Sequence, residues 1–302
     1  MKFDFGEVLG RMWKIGWNYK VLWLFQMLPG AAMLLVFPLF FLANPASALF
    51  LPEPYNQWAN EPWMFGVSLG MMLLLFVPLM FVGAFAQAAT TLGAIKVERG
   101  AEKLSFRELS SESMPFLLRV MGLYLLFGAL WFLMIMVFML LMMGVAFVTM
   151  GIGMLCIMPF FFLIYPIAFV GYLALELAQA GIIADNLGMM DSIARGWQLF
   201  RSNALALSVL MFILYFGLTT LSSLFIFPMM LPMMAFPFSM DSSGDFNGTF
   251  FTFIMVLFPI MMVVMFVVQG ILMAFFQSAW AVAYLRLTRA ADAPVILPEA
   301  NA

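Results

Sequence analysis

Histidine is absent from the 302 residues, and cysteine occurs once, at Cys156. The first absence removes the side chain that most often serves as general base and as zinc or copper ligand. The second excludes an internal disulfide and any site built from several thiolates. Charge is scarce too: Asp, Glu, Lys and Arg make up 9% of the chain, against about a quarter in a soluble domain. Thirteen basic and fifteen acidic residues leave a formal net charge of −2, which provides no basic face for a nucleic acid. The remainder is largely apolar. Residues of the AVILMFWYC set reach 66%, with 36 Phe and 31 Met. A chain so poor in polar groups cannot cover a water-facing surface. It reads as an integral membrane protein.

A helix rises about 1.5 Å per residue, so roughly 20 apolar residues cross a hydrocarbon core about 30 Å thick. Six stretches qualify, near 21–43, 64–95, 116–147, 154–183, 204–236 and 250–285. Length beyond the minimum means tilt, or helices that continue past the interface. The third connection, Met150-Gly151-Ile152-Gly153, is short and apolar; its glycines and the following Pro159 predict a tight hairpin rather than one very long helix. The fold class predicted is all-α integral membrane, with six transmembrane helices in one domain over 1–302, the last residues, 291–302, forming a cytoplasmic tail.

The basic residues set the orientation. Lys2, Arg11, Lys14 and Lys20 precede span one, and Lys96, Arg99, Lys103, Arg107 and Arg119 lie between or beside spans two and three. Arg195 and Arg201 separate spans four and five, while Arg286 and Arg289 follow span six. All thirteen positives therefore fall on one side, and the other side carries only Glu53, Glu61, Asp241 and Asp245. The positive-inside rule places both termini in the cytoplasm, which suits a bacterial inner-membrane protein. Ala46-Ser47-Ala48 looks like a leader-peptidase site, but span one is longer than a signal h-region and follows an amphipathic segment, so an uncleaved anchor is expected.

Spans two, four and six share a feature: Phe85-Ala86-Gln87-Ala88-Ala89, Leu177-Ala178-Gln179-Ala180-Gly181 and Phe275-Phe276-Gln277-Ser278-Ala279. Spans one, three and five share a prelude. Asp4-Phe5-Gly6-Glu7 and Ser105-Phe106-Arg107-Glu108 match the capping-box pattern, and Asp191 can cap a helix before span five. Phe5, Val8, Leu9, Met12 and Trp13 form one helical stripe, and Ile193, Gly196, Trp197 and Phe200 another. These preludes read as short cytoplasmic amphipathic helices lying at the membrane interface, the middle one the weakest. The unit is an amphipathic helix, a span outward, a loop and a span back. Used three times, over about 4–100, 101–188 and 189–290, it gives three parallel helical-hairpin repeats around an axis along the membrane normal.

Trp13-Lys14, then Lys20-Val21-Leu22-Trp23, together with Ile193-Ala194-Arg195-Gly196-Trp197-Gln198-Leu199-Phe200, resemble the corresponding segments of an uncharacterised family of bacterial six-span membrane proteins. That family is similar to the membrane domain fused to some glycerophosphodiester phosphodiesterases. The resemblance covers most of the chain and implies fold and topology. It implies no catalytic residue, because no phosphodiesterase domain is present in these residues.

Glu176 is the sharpest candidate, one helical turn before Gln179 and ten residues before Asn186, about 15 Å along a helix. An ionisable group at that depth is costly and counts as a functional hypothesis. Three readings are open: a proton- or cation-responsive carboxylate with Gln87, Gln179 and Gln277 as neighbours; a hydrogen-bonded fastener between helices; or a residue at an early helix end that meets water. The glutamines can line a polar path, bind a headgroup or act as interhelical glue. Trp13, Lys14, Trp17, Lys20, Arg195, Trp197 and Arg201 are expected to anchor the preludes to lipid. Glu98, Glu102, Glu108 and Glu112 interleave with Arg99, Lys103, Arg107 and Arg119, which suits a salt-bridged surface. Methionine runs such as Met134, Met136 and Met139 suggest soft-metal ligation less than the filling of apolar gaps. No metal site, cofactor or catalytic residue is expected. The function expected is non-enzymatic: a scaffold, an accessory subunit of a membrane-protein partner, or a lipid-organising element. The alternative is a transporter or channel for a small or amphiphilic solute.

Overall fold

The computed structural model describes residues 4–43, 62–150, 153–235 and 248–291, all helix apart from short links. Glu53, Glu61, Asp241, Asp245 and the terminal tail fall outside the described residues. In chain order the helices are α1 (Phe5–Asn18), α2 (Val21–Ala43), α3 (Pro62–Glu98), α4 (Phe106–Val148), α5 (Gly153–Ala184), α6 (Met189–Ser202), α7 (Ala204–Ala235) and α8 (Gly248–Ala291). Five of them, α3, α4, α5, α7 and α8, are each long and apolar enough to cross a membrane. α1 and α2, which meet at a bend of 77°, make a sixth if the pair is counted as one span. Multi-pass membrane architecture follows from these lengths and their composition.

The helices nest in two rings. α3, α5 and α8 touch one another at the centre, α2 packs against α3 and α8, α4 against α3 and α5, and α7 against α5 and α8. α1 lies on α8, and α6 lies on α5. The packed core sits at the end that carries the charges: Ala84 to Ile95 on α3, Leu173 to Ile183 on α5 and Leu272 to Leu287 on α8 supply most of it. Farther along, the helices stand apart. Leu130, Trp131, Phe132 and Leu133 on α4 are four consecutive exposed residues, as are Leu224 to Phe227 on α7. Four successive residues sweep most of a turn, so those stretches are exposed around most of the helix.

Charge clips hold the packed end together. Lys96 at the end of α3 bonds Glu108 at 2.7 Å and Glu112 at 2.6 Å on the first turns of α4. Arg286 on α8 pairs with Glu7 on α1, and buried Glu98 lies between Arg286 at 3.6 Å and Arg11 at 3.4 Å. Arg99 donates to the carbonyl of Ala184 at 2.8 Å, and Arg119 to those of Asn186 and Leu187, so both close the end of α5. Of the charges interleaved over 96–119, Lys96, Glu98, Arg99, Glu108, Glu112 and Arg119 thus join elements.

Several local expectations change. α4 runs unbroken from Phe106, so the middle prelude is the first turns of a span and only two separate amphipathic helices are found among the described residues. Asp4 caps α1 by accepting from the Glu7 amide at 3.1 Å, as its pattern predicts. Ser105 makes no such bond, and its partner Glu108 turns to Lys96. α6 is capped by Gly188, which puts Asp191 inside the first turn where its charge favours the helix dipole. α4 ends at Val148 and α5 begins at Gly153, the two helices packing against each other, with Met150 in the left-handed region at φ 50; Gly151 and Ile152 lie outside the described residues.

Two Gly-Trp pairs seat the short helices. A Cβ at Gly16 would overlap the Phe275 ring, and one at Gly196 would lie 3.0 Å from the Ala178 nitrogen and 3.1 Å from the Ala174 oxygen. The second contact is with backbone, which cannot swing aside as a side chain can. Gly196→Val is therefore expected to lift α6 off α5 and cost about 1–3 kcal/mol, read as a lower thermal unfolding midpoint in detergent. Gly10→Ala, at a position with open space around it, should leave the midpoint unchanged or raised.

Candidate functional site

The central ring brings the sequence candidates together. Glu176 and Gln179 on α5, Gln277 on α8 and Thr91 on α3 are each about 1% exposed. Glu176 stands nine residues before Asp185, and Gln277 nine before Arg286, so both lie about 14 Å inside the charged end. That depth is near the middle of a hydrocarbon core about 30 Å thick.

The bonds form a continuous chain. Gln277 Nε2 donates to the Glu176 carboxylate at 3.2 and 3.4 Å, and Tyr172 stands one turn earlier on α5. Gln277 Oε1 accepts from Thr91 at 3.2 Å and from Gln179 Nε2 at 3.3 Å. Gln179 Nε2 donates also to Thr91 Oγ1 at 2.9 Å and to the Gln87 carbonyl at 3.4 Å. Gln179 Oε1 accepts from the Tyr124 hydroxyl of α4 at 2.5 Å. The orientation of Gln277 follows from its surroundings: rotated by 180°, its oxygen would face the carboxylate and its nitrogen the nitrogen of Gln179. The donor to Glu176, Gln277, is uncharged. The helix continues past Glu176 to Ala184 and the side chain is buried, so the reading in which it meets water at an early helix end is corrected.

Gln87 takes a different part from its two counterparts. Only its backbone carbonyl joins the chain. Its side chain points toward Gln26 of α2, whose Nε2 lies 3.5 Å from Gln87 Oε1, 3.1 Å from Thr90 Oγ1 and 3.4 Å from the Ala86 carbonyl. Both glutamines border a cleft of about 450 Å³ between α2, α3, α4 and α8. Gln269 and Tyr124 add polar groups to it, and Met80, Met273 and Phe266 are among its apolar walls. α2 and α8 come close beside it because Gly30 faces the Phe266 side chain, and Gly270 faces Met27 with a hypothetical Cβ 3.1 Å from that backbone nitrogen. Tyr124 belongs to both cleft and chain, and so connects the open space to Glu176 through Gln179 and Gln277.

Thr91, Tyr124, Tyr172 and Gln26 are functional neighbours that sequence reasoning missed. Three had a usable signal. Thr91 follows Gln87 by four residues and Tyr172 precedes Glu176 by four, the spacing that shares a helix face. Gln26 is the one polar side chain in the apolar run 21–43. Tyr124 had none, since an aromatic in an apolar span is ordinary.

The expected lipid anchors fall into two groups. Trp13 and Trp17 are more than half exposed and stack at 5.7 Å, with Trp13 also 5.3 Å from Phe275 and Trp17 against Trp23 at 5.6 Å. Lys14, Lys20, Trp197 and Arg201 are exposed as well. Arg195 is half-buried and bonded to Tyr284, whose hydroxyl donates to Asp185 at 2.6 Å. It fastens α6 to the ends of α5 and α8. The apolar stripe of α1 likewise turns to protein, with Val8 and Ile15 buried in the core.

Among protein families, curated proteins and solved structures, none matches this chain.

Thr91→Val keeps the shape of the side chain and removes the hydroxyl that both accepts from Gln179 and donates to Gln277. It should lower stability by about 1 kcal/mol, as should Tyr124→Phe. The double variant should depart from additivity, because both hydroxyls act on one amide. Strict additivity in detergent unfolding would mean that the chain is not one unit.

Proposed function

We propose that this chain is a non-enzymatic, lipid-organising protein of a bacterial inner membrane, with both termini in the cytoplasm. The observation that carries the reading is the cleft bordered by Gln26, Gln87, Gln269 and Tyr124, a polar-floored space at bilayer depth with methionine and phenylalanine walls. Such a space suits an amphiphile. The outer stretches of α4 and α7, largely exposed, give acyl chains access around it. The paired Trp13 and Trp17 near Lys14 and Lys20 suit anchorage at an anionic headgroup layer.

Three parallel repeats are part of the same reading. What supports them is the pattern of contacts: each central helix meets the other two, and each peripheral one meets its own hairpin partner and the central helix of the preceding unit, with α2 closing on α8. The charge clips follow suit. Lys96 and Arg286 stand nine residues after Gln87 and Gln277, and each pairs with the third residue after a helix cap, Glu108 and Glu7. The kinship to the membrane domain of glycerophosphodiester phosphodiesterases is proposed on the same footing, without activity.

A second reading, passage of a small or amphiphilic solute, draws on the hydrogen-bonded route from Tyr124 to Glu176. A membrane-protein partner seated on the exposed helices would make the chain an accessory subunit.

Gentle purification from native membranes followed by native mass spectrometry separates these. Stoichiometric lipid is the expected result; a stoichiometric protein partner would favour the subunit reading, and finding no lipid would overturn the proposal. Glu176→Gln should leave a lipid-organising protein folded and lipid-bound, whereas a proton-coupled carrier would lose flux. Orientation is checked by single cysteines in a Cys156→Ala background. Position 241 should react with an impermeant maleimide from outside, and position 103 only after permeabilisation.

A further inference from the structure

The cleft between α2, α3, α4 and α8 holds amides and a hydroxyl without any ionised group. The basic residues on and beside its helices lie outside the lining, toward the charged end. Arg119, five residues before Tyr124, is engaged by the carbonyls of Asn186 and Leu187, Lys20, six before Gln26, is exposed, and Lys96, nine after Gln87, is engaged by Glu108 and Glu112. Glu176 is screened from it by Gln277, Gln179 and Tyr124. A charged headgroup seated between Gln87 and Gln269 would find no counter-charge among the lining residues, which is costly in hydrocarbon. The occupant suited to the cleft is therefore uncharged.

The hydrogen-bonding valence narrows it further. Tyr124 spends its proton on Gln179 and shows the cleft only a lone pair. Gln26 spends its amide hydrogens on Thr90, Ala86 and Gln87. The amide nitrogen of Gln87 donates to no described group, and Gln269, exposed on α8, bonds no described residue. Two amide donors thus face the space without a partner among the described residues. What they call for is oxygen acceptors.

We infer that the cleft binds an uncharged amphiphile whose head presents carbonyl oxygens to Gln87 and Gln269, its tail lying along Met80, Met273 and Phe266. This rests on the lipid-organising reading and names the class of lipid. An unphosphorylated diacylglycerol and an isoprenoid quinone share that chemistry, the one through ester and the other through ring carbonyls.

The test is thermal unfolding of the full-length, delipidated protein in maltoside. It is titrated separately with a short-chain diacylglycerol, a short-chain benzoquinone and phosphatidylglycerol as the charged comparator. A saturable rise in midpoint with one uncharged probe is expected, and the responding probe identifies the source. Its half-saturating concentration should rise at least tenfold in both Gln87→Leu and Gln269→Leu. The second variant touches no hydrogen bond of the described structure, so it stays informative if the first folds poorly. No rise with either uncharged probe, an equal rise with phosphatidylglycerol, or an undiminished response in Gln269→Leu would overturn the inference. Lipid that still co-purifies from native membranes in those cases would leave the lipid-organising reading standing; its absence would remove both.

Discussion

A carboxylate and several amides set about halfway through a bilayer must find their hydrogen-bond partners inside the protein, because hydrocarbon supplies none. In this chain that requirement decides which helices form the centre. Glu176, Gln179, Gln277 and Thr91 satisfy one another only when α3, α5 and α8 meet at one level, and Tyr124 then draws α4 against them. Shifting one helix by a turn, about 5.4 Å, would leave a buried donor or acceptor without a partner. Apolar packing alone lacks such register, since leucine meets lipid about as well as it meets another leucine. The polar knot selects the arrangement, and the alanine-rich segments around it let the backbones approach.

Much of this was legible from residue order. Span positions, the segregation of basic residues and the shared glutamines lie close in the sequence to what they control, because hydropathy and helical rise act locally. The site was half legible. Gln179, Gln277 and Glu176 are joined as their shared position suggests, yet Gln87, identical in its local motif, sends its side chain elsewhere. The difference arises from α2: Gln26 offers a partner on that side, while Thr91 takes over the central role one turn along. Such a trade depends on which helix packs opposite, and a single helix carries no trace of it.

The charges teach a similar lesson. Their sidedness can be read from a count, but their partners cannot. Glu108 matches a capping-box position and ends on Lys96 of another helix. Arg195, beside Trp197 on an amphipathic helix, joins Tyr284 rather than lipid. In both cases a tertiary partner outcompetes a local role, since a charge-assisted bond between elements is stronger than a cap exposed to water.

The contrast between a tightly clipped end and helices that stand apart beyond the knot has a mechanical consequence. A bundle secured along only part of its length has a fixed pivot, and its free arms can change tilt without disturbing the joints. Hydrophobic mismatch costs fractions of a kcal/mol per ångström, and here that cost falls on the arms of α4 and α7, whose outer stretches are largely exposed. Bilayer thickness is accommodated on one leaflet's side while the geometry around Glu176 stays constant. The protein is built to keep one depth of the membrane rigid and let the other vary.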